Sequence, residues 1–227
     1  MKKLILGMAV AVSSLAFAQQ TPASSSPVKF GIKAGMNVAS ISKDEGLEDQ
    51  KSKIGFYGGG FANIPIASSF SIQPELMYSG LGSKVTSNEL VGNETNGIRY
   101  KDSYSTNLHY LTVPVMFQYN FVPNFYVEAG PEFGFMLSGK NKVDATTTTY
   151  VNGTATTVSQ SYSEDIDKDH LNTFNVGIGL GAGYYFTDNI GVTARYVAGL
   201  TDIAKDRPSG SDAIKNNVFQ VGLAFKF

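Results

Sequence analysis

Two carboxylates share one face of an otherwise apolar segment. In "FVPNFYVEAGPEFGFML", residues 121–137, apolar side chains alternate with a series that contains Glu128 and Glu132. Because successive side chains of a β-strand point to opposite faces, both acids lie opposite the apolar face. Acids held in this way could carry protons or gate a pore, or they could pair with cations as a structural plug.

Three more charged residues occupy the same kind of position in other alternating segments. Lys33, Glu75 and Arg195 each stand opposite an apolar face, at a similar depth counted from the short turns described below. Lone buried charges are costly, so we expect these groups to pair with one another. The predicted lumenal cluster consists of Lys33, Glu75, Glu128, Glu132 and Arg195. We favour the structural plug, because polar interiors are usual in barrels that cross membranes.

Other candidate groups match no catalytic motif. His109 and His170 each adjoin a long connection, where a rim hydrolase would need a serine or aspartate within hydrogen-bonding reach. Asp165, Asp167 and Asp169 alternate as at the start of a calcium loop, but the glycine and glutamate of an EF-hand are missing. A looser divalent site at these acids is kept as an alternative. The favoured prediction has no catalytic residue, no metal site and no cofactor.

The composition excludes several classes of protein. The 227 residues carry a net charge of −1, and only 16% of them are charged, whereas about a quarter is usual for a soluble domain. No basic excess points to nucleic acid. The sequence contains no cysteine, so disulfides and cysteine-ligated metals are ruled out.

The N-terminal segment, residues 1–18, is predicted to be a signal peptide. Lys2 and Lys3 precede an apolar run that ends in the small-x-small pattern "AFA". The run is shorter than a membrane helix requires. Residues 19–27 are then expected to form a Ser/Pro linker in the periplasm, and residues 28–227 the folded domain.

Eight segments of the domain alternate with a period of two, as β-strands with one apolar face do. They span residues 28–41, 54–66, 70–78, 110–121, 121–137, 174–186, 189–200 and 218–227. Each has about ten residues or more, enough for a tilted strand to cross a bilayer. Three connections between them are short, and four are long and polar: residues 43–53, 79–107, 139–170 and 201–216.

Short and long connections alternate strictly, as expected of a meander whose short turns all lie at one membrane surface. The sequence therefore predicts an all-β fold, an eight-stranded antiparallel up-and-down transmembrane β-barrel. Asn152-Gly153, between Thr-rich flanks, predicts a tight hairpin in the third long connection. Six phenylalanines fall beside the chain ends or the short turns and are predicted to form an aromatic girdle: Phe30, Phe70, Phe121, Phe125, Phe186 and Phe227.

The apolar face of each strand is expected to meet lipid. Backbone polar groups in hydrocarbon must be hydrogen-bonded within the protein, and for strands only a closed barrel achieves this. A soluble barrel of the lipocalin type, with its apolar face inward around a ligand, is the alternative, since alternation alone does not say which face meets water. The unequal connections, the phenylalanine ring and the low charge favour the membrane.

Five segments, taken in order, resemble a known family. The chain is similar to the outer-membrane β-barrel domain of the porin-like family of Bacteroidota, which includes PorT-type barrels associated with protein secretion. The similarity is carried by "FSIQPELMYS", "YLTVPVMFQYNF", "FYVEAGPEFGFMLS", "GAGYYFTDNIGVTARYVAGLTDI" and "NNVFQVGLAFKF". It covers about residues 28–227, and the terminal Phe227 resembles the signal that the barrel-assembly machinery reads.

The resemblance implies a bacterial outer-membrane protein with both termini in the periplasm and its long loops outside the cell. The implied partners are outer-membrane lipids including lipopolysaccharide, the barrel-assembly machinery during insertion, and an unknown partner of the loops. The expected function is structural or binding, without enzymatic activity, around a lumen plugged by polar side chains. Alternatives are a narrow channel for small solutes or ions, a PorT-like accessory of secretion, and a rim hydrolase.

Overall fold

The structure of the protein is a computed structural model that describes residues 27–41, 50–167, 171–205 and 213–227. The predicted signal peptide and nearly all of the predicted linker lie outside these residues, as do Asp169 and His170. In the described part of the chain, no helix has the length and apolar character needed to cross a membrane.

Antiparallel strands make up the secondary structure of the described residues. They are β1 Lys29–Ile41, β2 Gln50–Pro65, β3 Phe70–Gly92, β4 Gly97–Val122, β5 Phe125–Val151, β6 Thr154–Asp165, β7 Phe174–Tyr185, β8 Ile190–Gly199 and β9 Asn216–Lys226. Eight of them pair in the order β1-β2-β3-β4-β5-β7-β8-β9, and β9 pairs back to β1. This ring confirms the predicted eight-stranded barrel, and β6 stands outside it, paired to β5.

Burial alternates along the barrel strands in the sense expected of a membrane barrel. The apolar series faces outward: Phe117, Leu180 and Leu223 are 54%, 67% and 60% exposed. The opposite series is buried, with Glu128 only 1% exposed. The soluble alternative, which needs the apolar face inside, is therefore wrong for this chain.

Three of the strands continue far beyond the barrel. β3, β4 and β5 have 23, 26 and 27 residues, whereas about ten suffice to cross a bilayer. Their outer halves stay paired up to Gly92↔Gly97 and Gly97↔Tyr150, and β6 adds a fourth strand. We call this four-stranded sheet, residues 80–109 and 138–165, the arm. The predicted long loops 79–107 and 139–170 are thus mostly strands, because Val, Thr and Tyr favour extended backbone even without a continuous apolar face.

Two turns close the tip of the arm. Asn152 and Gly153 have φ values of 51° and 77°, the left-handed pair that a two-residue hairpin turn requires, so the hairpin predicted here is confirmed. In the other turn, Asn93 Oδ1 accepts hydrogen bonds from the backbone N–H groups of Thr95 and Asn96. The Gly153 N–H donates to the Thr95 carbonyl at 2.9 Å, which joins the two turns.

Aromatic rings surround the opposite, short-turn end of the barrel. The six predicted girdle phenylalanines are between 36% and 71% exposed on the outer surface. Phe70, Tyr119, Phe121 and Phe125 form a row whose successive ring centroids lie 4.8, 4.8 and 6.1 Å apart. Two more ring pairs are Tyr184 with Phe186 and Phe225 with Phe227. The belt thus includes tyrosines that the sequence prediction left out.

Glycines on the lumenal face of β7 make room for side chains of neighbouring strands. A Cβ atom on Gly183 would lie 2.3 Å from Cζ of Tyr126, and one on Gly179 would lie 2.7 Å from Cε of Met116. Because the narrow lumen is filled by side chains, these positions have no space for a side chain of their own.

We expect Gly183→Ala to destabilise the barrel by about 1–3 kcal/mol, because the new methyl group overlaps the Tyr126 ring. The matched control is Gly58→Ala, where the nearest atom to the new Cβ is Ala34 Cβ at 3.6 Å, an ordinary contact. Urea unfolding in detergent micelles, followed by the gel shift between folded and boiled protein, measures both. Equal stability of the two variants would contradict this account of the β7 glycines.

Candidate functional site

A glycine between two strands lets the central ion pair of the lumen form. Arg195 on β8 pairs with Gly181 on β7, and Gly181 pairs with Glu128 on β5. Because Gly181 has no side chain, Arg195 can reach over it to the next strand. A Cβ at this position would lie 3.1 Å from Glu128 Oε1, so the glycine is part of the site.

Four of the five predicted cluster residues meet in the lumen. Arg195 Nε donates to Glu128 Oε1 at 2.7 Å, and its Nη1 and Nη2 donate to Glu75 Oε2 and Oε1 at 2.9 and 2.7 Å. Lys33 Nζ donates to Glu75 Oε1 at 2.7 Å. β3 and β8 stand opposite each other in the ring, with β2, β1 and β9 between them. Arg195 therefore spans the barrel and ties its two walls together.

Buried amides complete this ionic layer, which we define as Lys33, Glu75, Glu128 and Arg195 with their amide partners. Gln73 Nε2 donates to Glu75 Oε1 at 2.8 Å, and Gln118 Nε2 donates to Glu128 Oε2 at 2.9 Å. Asn63 Nδ2 in turn donates to Gln118 Oε1 at 2.8 Å. Sequence reasoning missed Gln118 and Asn63 as site residues. The signal for Gln118 was its position between the outward-facing Phe117 and Tyr119.

Glu132, the fifth predicted member, is not brought into contact with the other four. It follows Glu128 by four residues on β5, which is roughly 13 Å along a strand. Its side chain is buried, and its Oε2 atom has no hydrogen-bond partner among the described residues. The prediction that Arg195 and Lys33 would face Glu132 as well is corrected here, because sequence parity sets the face of a residue but not its height in the lumen.

Apolar layers lie on both sides of the ionic layer. Toward the short turns, a lower plug consists of Phe61, Tyr126, Tyr185 and Ala224, with Lys226 Nζ 3.5 Å from the centroid of the Tyr185 ring. Toward the arm, an upper plug consists of Ala39, Leu81, Leu108, Tyr110, Met136, Val197 and Val218, against which Ile166 and Leu171 pack. The sequence predicts a polar lumen, whereas the structure has an ionic centre between two apolar ends.

A family model for the outer membrane protein beta-barrel domain matches residues 17–205. The chain belongs to this family. Membership places the barrel domain in the bacterial outer membrane, in agreement with its apolar outer face. A search of curated proteins finds no match.

Three solved structures are similar to this chain at low sequence identity. Ail of Yersinia pestis is 14% identical over 89% of this chain and 100% of that chain, with a TM-score of 0.42. Neisserial surface protein A is 12% identical over 89% and 100%, with a TM-score of 0.44. OprG from Pseudomonas aeruginosa is 14% identical over 88% and 95%, with a TM-score of 0.36.

Among the described residues, the other candidate groups do not come together as a catalytic or metal site. His109 Nδ1 lies 2.5 Å from the Tyr78 hydroxyl, and the two rings stack at 5.9 Å, so its hydrogen-bond partner is a tyrosine rather than a serine or aspartate. Asp165 Oδ1 lies 3.4 Å from Lys140 Nζ. Within the described ranges, no group of three His, Cys, Asp or Glu side chains could hold a metal ion.

We expect Arg195→Leu to reduce the free energy of unfolding of the barrel domain by about 3–5 kcal/mol, because Glu75 and Glu128 remain buried without their shared cation. The temperature at which the folded band disappears on a semi-native gel reports the change. Lys142→Leu is the matched control, since it breaks the exposed Lys142–Asp144 pair of the arm, which contributes about 0–1 kcal/mol. Similar losses for the two variants would show that the ionic layer has no special role.

Proposed function

We propose that the protein is a non-enzymatic outer-membrane barrel with a closed lumen, whose work is to hold the arm outside the cell as a binding surface. The observation that carries this proposal is continuity between wall and arm. β3 and β4 pair without a register break from Met77↔Thr112 to Gly92↔Gly97, and the pairing of β4 with β5 shifts by one residue between His109 and Tyr110 and then continues to Gly97↔Tyr150. A sheet anchored in this way presents fixed side chains, unlike a flexible loop.

An extracellular arm puts the short-turn end, with Phe30 and Phe227, on the periplasmic side. The Phe227 N–H donates to the Phe30 carbonyl at 2.9 Å, so the start of β1 and the end of the chain leave the barrel together. This orientation suits insertion by the barrel-assembly machinery from the periplasm. The resemblance to the porin-like and PorT-type barrels of Bacteroidota stays a prediction.

One face of the arm continues the lumenal face of the barrel and is rich in exposed apolar groups. The strand register aligns one row across all four strands: Val85, Tyr104, Val143 and Tyr162. Tyr104 is 50% exposed and Tyr162 is 63% exposed. Tyr100 and Val158 follow on the same face toward the tip. Exposed aromatic rows of this kind mark surfaces that bind other macromolecules.

The free edge of the arm suits an extended partner strand. All twelve residues of β6 are exposed, and in the described part of the chain β6 pairs with β5 alone. Neither a proline nor a lysine interrupts β6, although natural edge strands usually carry such protection. We infer that an extended segment of an extracellular protein adds to this edge by backbone hydrogen bonds, with its side chains on the aromatic row.

A second copy fits this edge less well. Two barrels in one membrane are related by a rotation about the membrane normal, and such a rotation brings two upright β6 strands together in parallel. Parallel pairs are slightly less stable than antiparallel ones. An independent protein segment can approach antiparallel, so it is the partner we favour.

The opposite face of the arm is basic and continues the lipid-facing surface. Its cations are Lys84, Arg99, Lys101, Lys140 and Lys142, of which Arg99, Lys140 and Lys142 pair with Glu94, Asp165 and Asp144. Lys140 pairs across the strands with Asn107, two residues beyond His109 at the edge of the apolar wall. Hydrogen bonds from Ser161 and Lys142 lower the pKa of Asp144, which keeps that exposed acid ionised among the lysines. We propose that this face contacts the phosphates of lipopolysaccharide, since lysines attract phosphate groups.

The closed lumen predicts that purified protein gives no ionic conductance in a planar lipid bilayer. The lower plug, the ionic layer and the upper plug lie in series along the narrow lumen, and their buried side chains fill it. A large-pore porin measured in the same bilayer is the control for successful insertion. A reproducible open state would instead support the narrow-channel alternative.

The edge hypothesis predicts that Val158→Lys combined with Tyr162→Lys weakens binding of strand-forming peptides about tenfold, because two cross-strand pairs are lost and the edge becomes charged. Twelve-residue peptides selected for binding to the intact protein in micelles serve as probes. The matched variant, Lys84→Glu with Lys142→Glu, changes the other face.

The matched variant should keep peptide affinity and should lose lipopolysaccharide that co-purifies with the protein. Peptide binding that survives both lysines at the edge would contradict the assignment of β6. Unchanged lipopolysaccharide in the matched variant would remove the lipid proposal while leaving the edge proposal intact.

A further inference from the structure

A small cavity lies within the lumen between the ionic layer and the upper plug. Its volume is about 40 Å³. The side chains of Glu132, Asn175 and Asn216 line it together with Thr112, Tyr110 and Thr201. Four barrel strands, β4, β5, β7 and β9, and the segment after β8 contribute these groups, so the cavity belongs to the barrel and not to the arm.

Three oxygen atoms that line this cavity are buried and lack a hydrogen-bond partner among the described residues. They are Glu132 Oε2, Asn175 Oδ1 and Asn216 Oδ1. The Glu132 residue is only 9% exposed. Buried acceptors without partners are rare in native proteins, and three around one cavity indicate a shared occupant that is a donor or a cation.

The charges of the described lumenal cluster leave Glu132 uncompensated. Lys33 and Arg195 together balance Glu75 and Glu128 through the contacts of the ionic layer. A lone buried carboxylate is costly unless a counter-charge accompanies it. An occupant that restores neutrality without protonating Glu132 therefore carries one positive charge.

The chemistry and size of the cavity also suit a single ion. Carboxylate, amide and hydroxyl oxygens are the ligands that hard cations prefer. A cavity needs roughly 10–15 Å³ to hold one water molecule, so the observed volume accommodates one ion with an accompanying water. A divalent ion would leave one excess positive charge in a desolvated site.

We propose that this cavity binds one small monovalent cation, such as Na⁺, with Glu132 Oε2, Asn175 Oδ1 and Asn216 Oδ1 as its protein ligands. The ion neutralises Glu132 and links β5, β7 and β9 just below the upper plug. It is a structural ion of the barrel, because its three protein ligands belong to strands of the barrel wall.

The test refolds the full-length mature protein in micelles from urea, separately in NaCl, KCl or choline chloride at equal ionic strength. Refolding in each salt ensures that the cavity is filled from the salt under test. With Na⁺ about 100-fold above its dissociation constant, the unfolding temperature should rise by roughly 5–10 °C over choline. Glu132→Gln keeps the shape of the side chain and should abolish this rise, while Glu164→Gln on the exposed arm should retain it.

Three outcomes would overturn the proposal. Equal unfolding temperatures in the three salts would mean that a proton or water fills the cavity. A full response to Na⁺ in Glu132→Gln would place the ion elsewhere. A larger rise with CaCl₂ than with NaCl would reject the monovalent assignment.

Discussion

Pairing of the backbone in hydrocarbon is the constraint on which the rest of this structure depends. No water is present in the bilayer core to satisfy N–H and C=O groups, so the strands must close into a ring. Closure fixes which face meets lipid, and the apolar series takes that face. The charged and amide side chains then have no other place than the lumen. A soluble barrel of the same length would turn its apolar side chains inward and its polar side chains outward.

The narrowness of an eight-stranded ring turns this inward series into a network. Arg195 and Glu75 belong to opposite walls, yet they meet because the lumen is only as wide as two extended side chains. The absence of a side chain at Gly181 leaves the path of Arg195 open. Apolar plugs on either side exclude water, which strengthens each ion pair and also raises the cost of breaking one. The apolar plugs therefore close the lumen and also make the loss of either partner of an ion pair costly.

The sequence predicts which face of its strand each residue occupies, but not how deep in the lumen it lies. Alternation placed Lys33, Glu75, Glu128 and Arg195 on the lumenal face, since a side chain cannot change face without a shift of register. The depth of each residue depends on the stagger between neighbouring strands, which no local pattern encodes. Glu132 therefore lies in the lumen as predicted, but without the predicted contacts to Lys33 and Arg195. The sequence predicts loops for the arm because its strands carry no continuous apolar face. Only the Asn152-Gly153 turn gave a local signal of the hairpin, since it demands left-handed backbone.

The upper plug belongs both to the lumen of the barrel and to the base of the arm. Leu81, Leu108 and Met136 stand where β3, β4 and β5 pass from the barrel wall into the arm. Their burial closes the lumen, and it also packs the base of the arm against Val197 and Val218 of the opposite wall. A sheet packed at its base against a buried apolar cluster keeps a fixed orientation, even though both of its faces are exposed to solvent. The arm consequently inherits its orientation from the barrel, and the exposed row at Tyr104 and Tyr162 is held at a fixed height above the membrane.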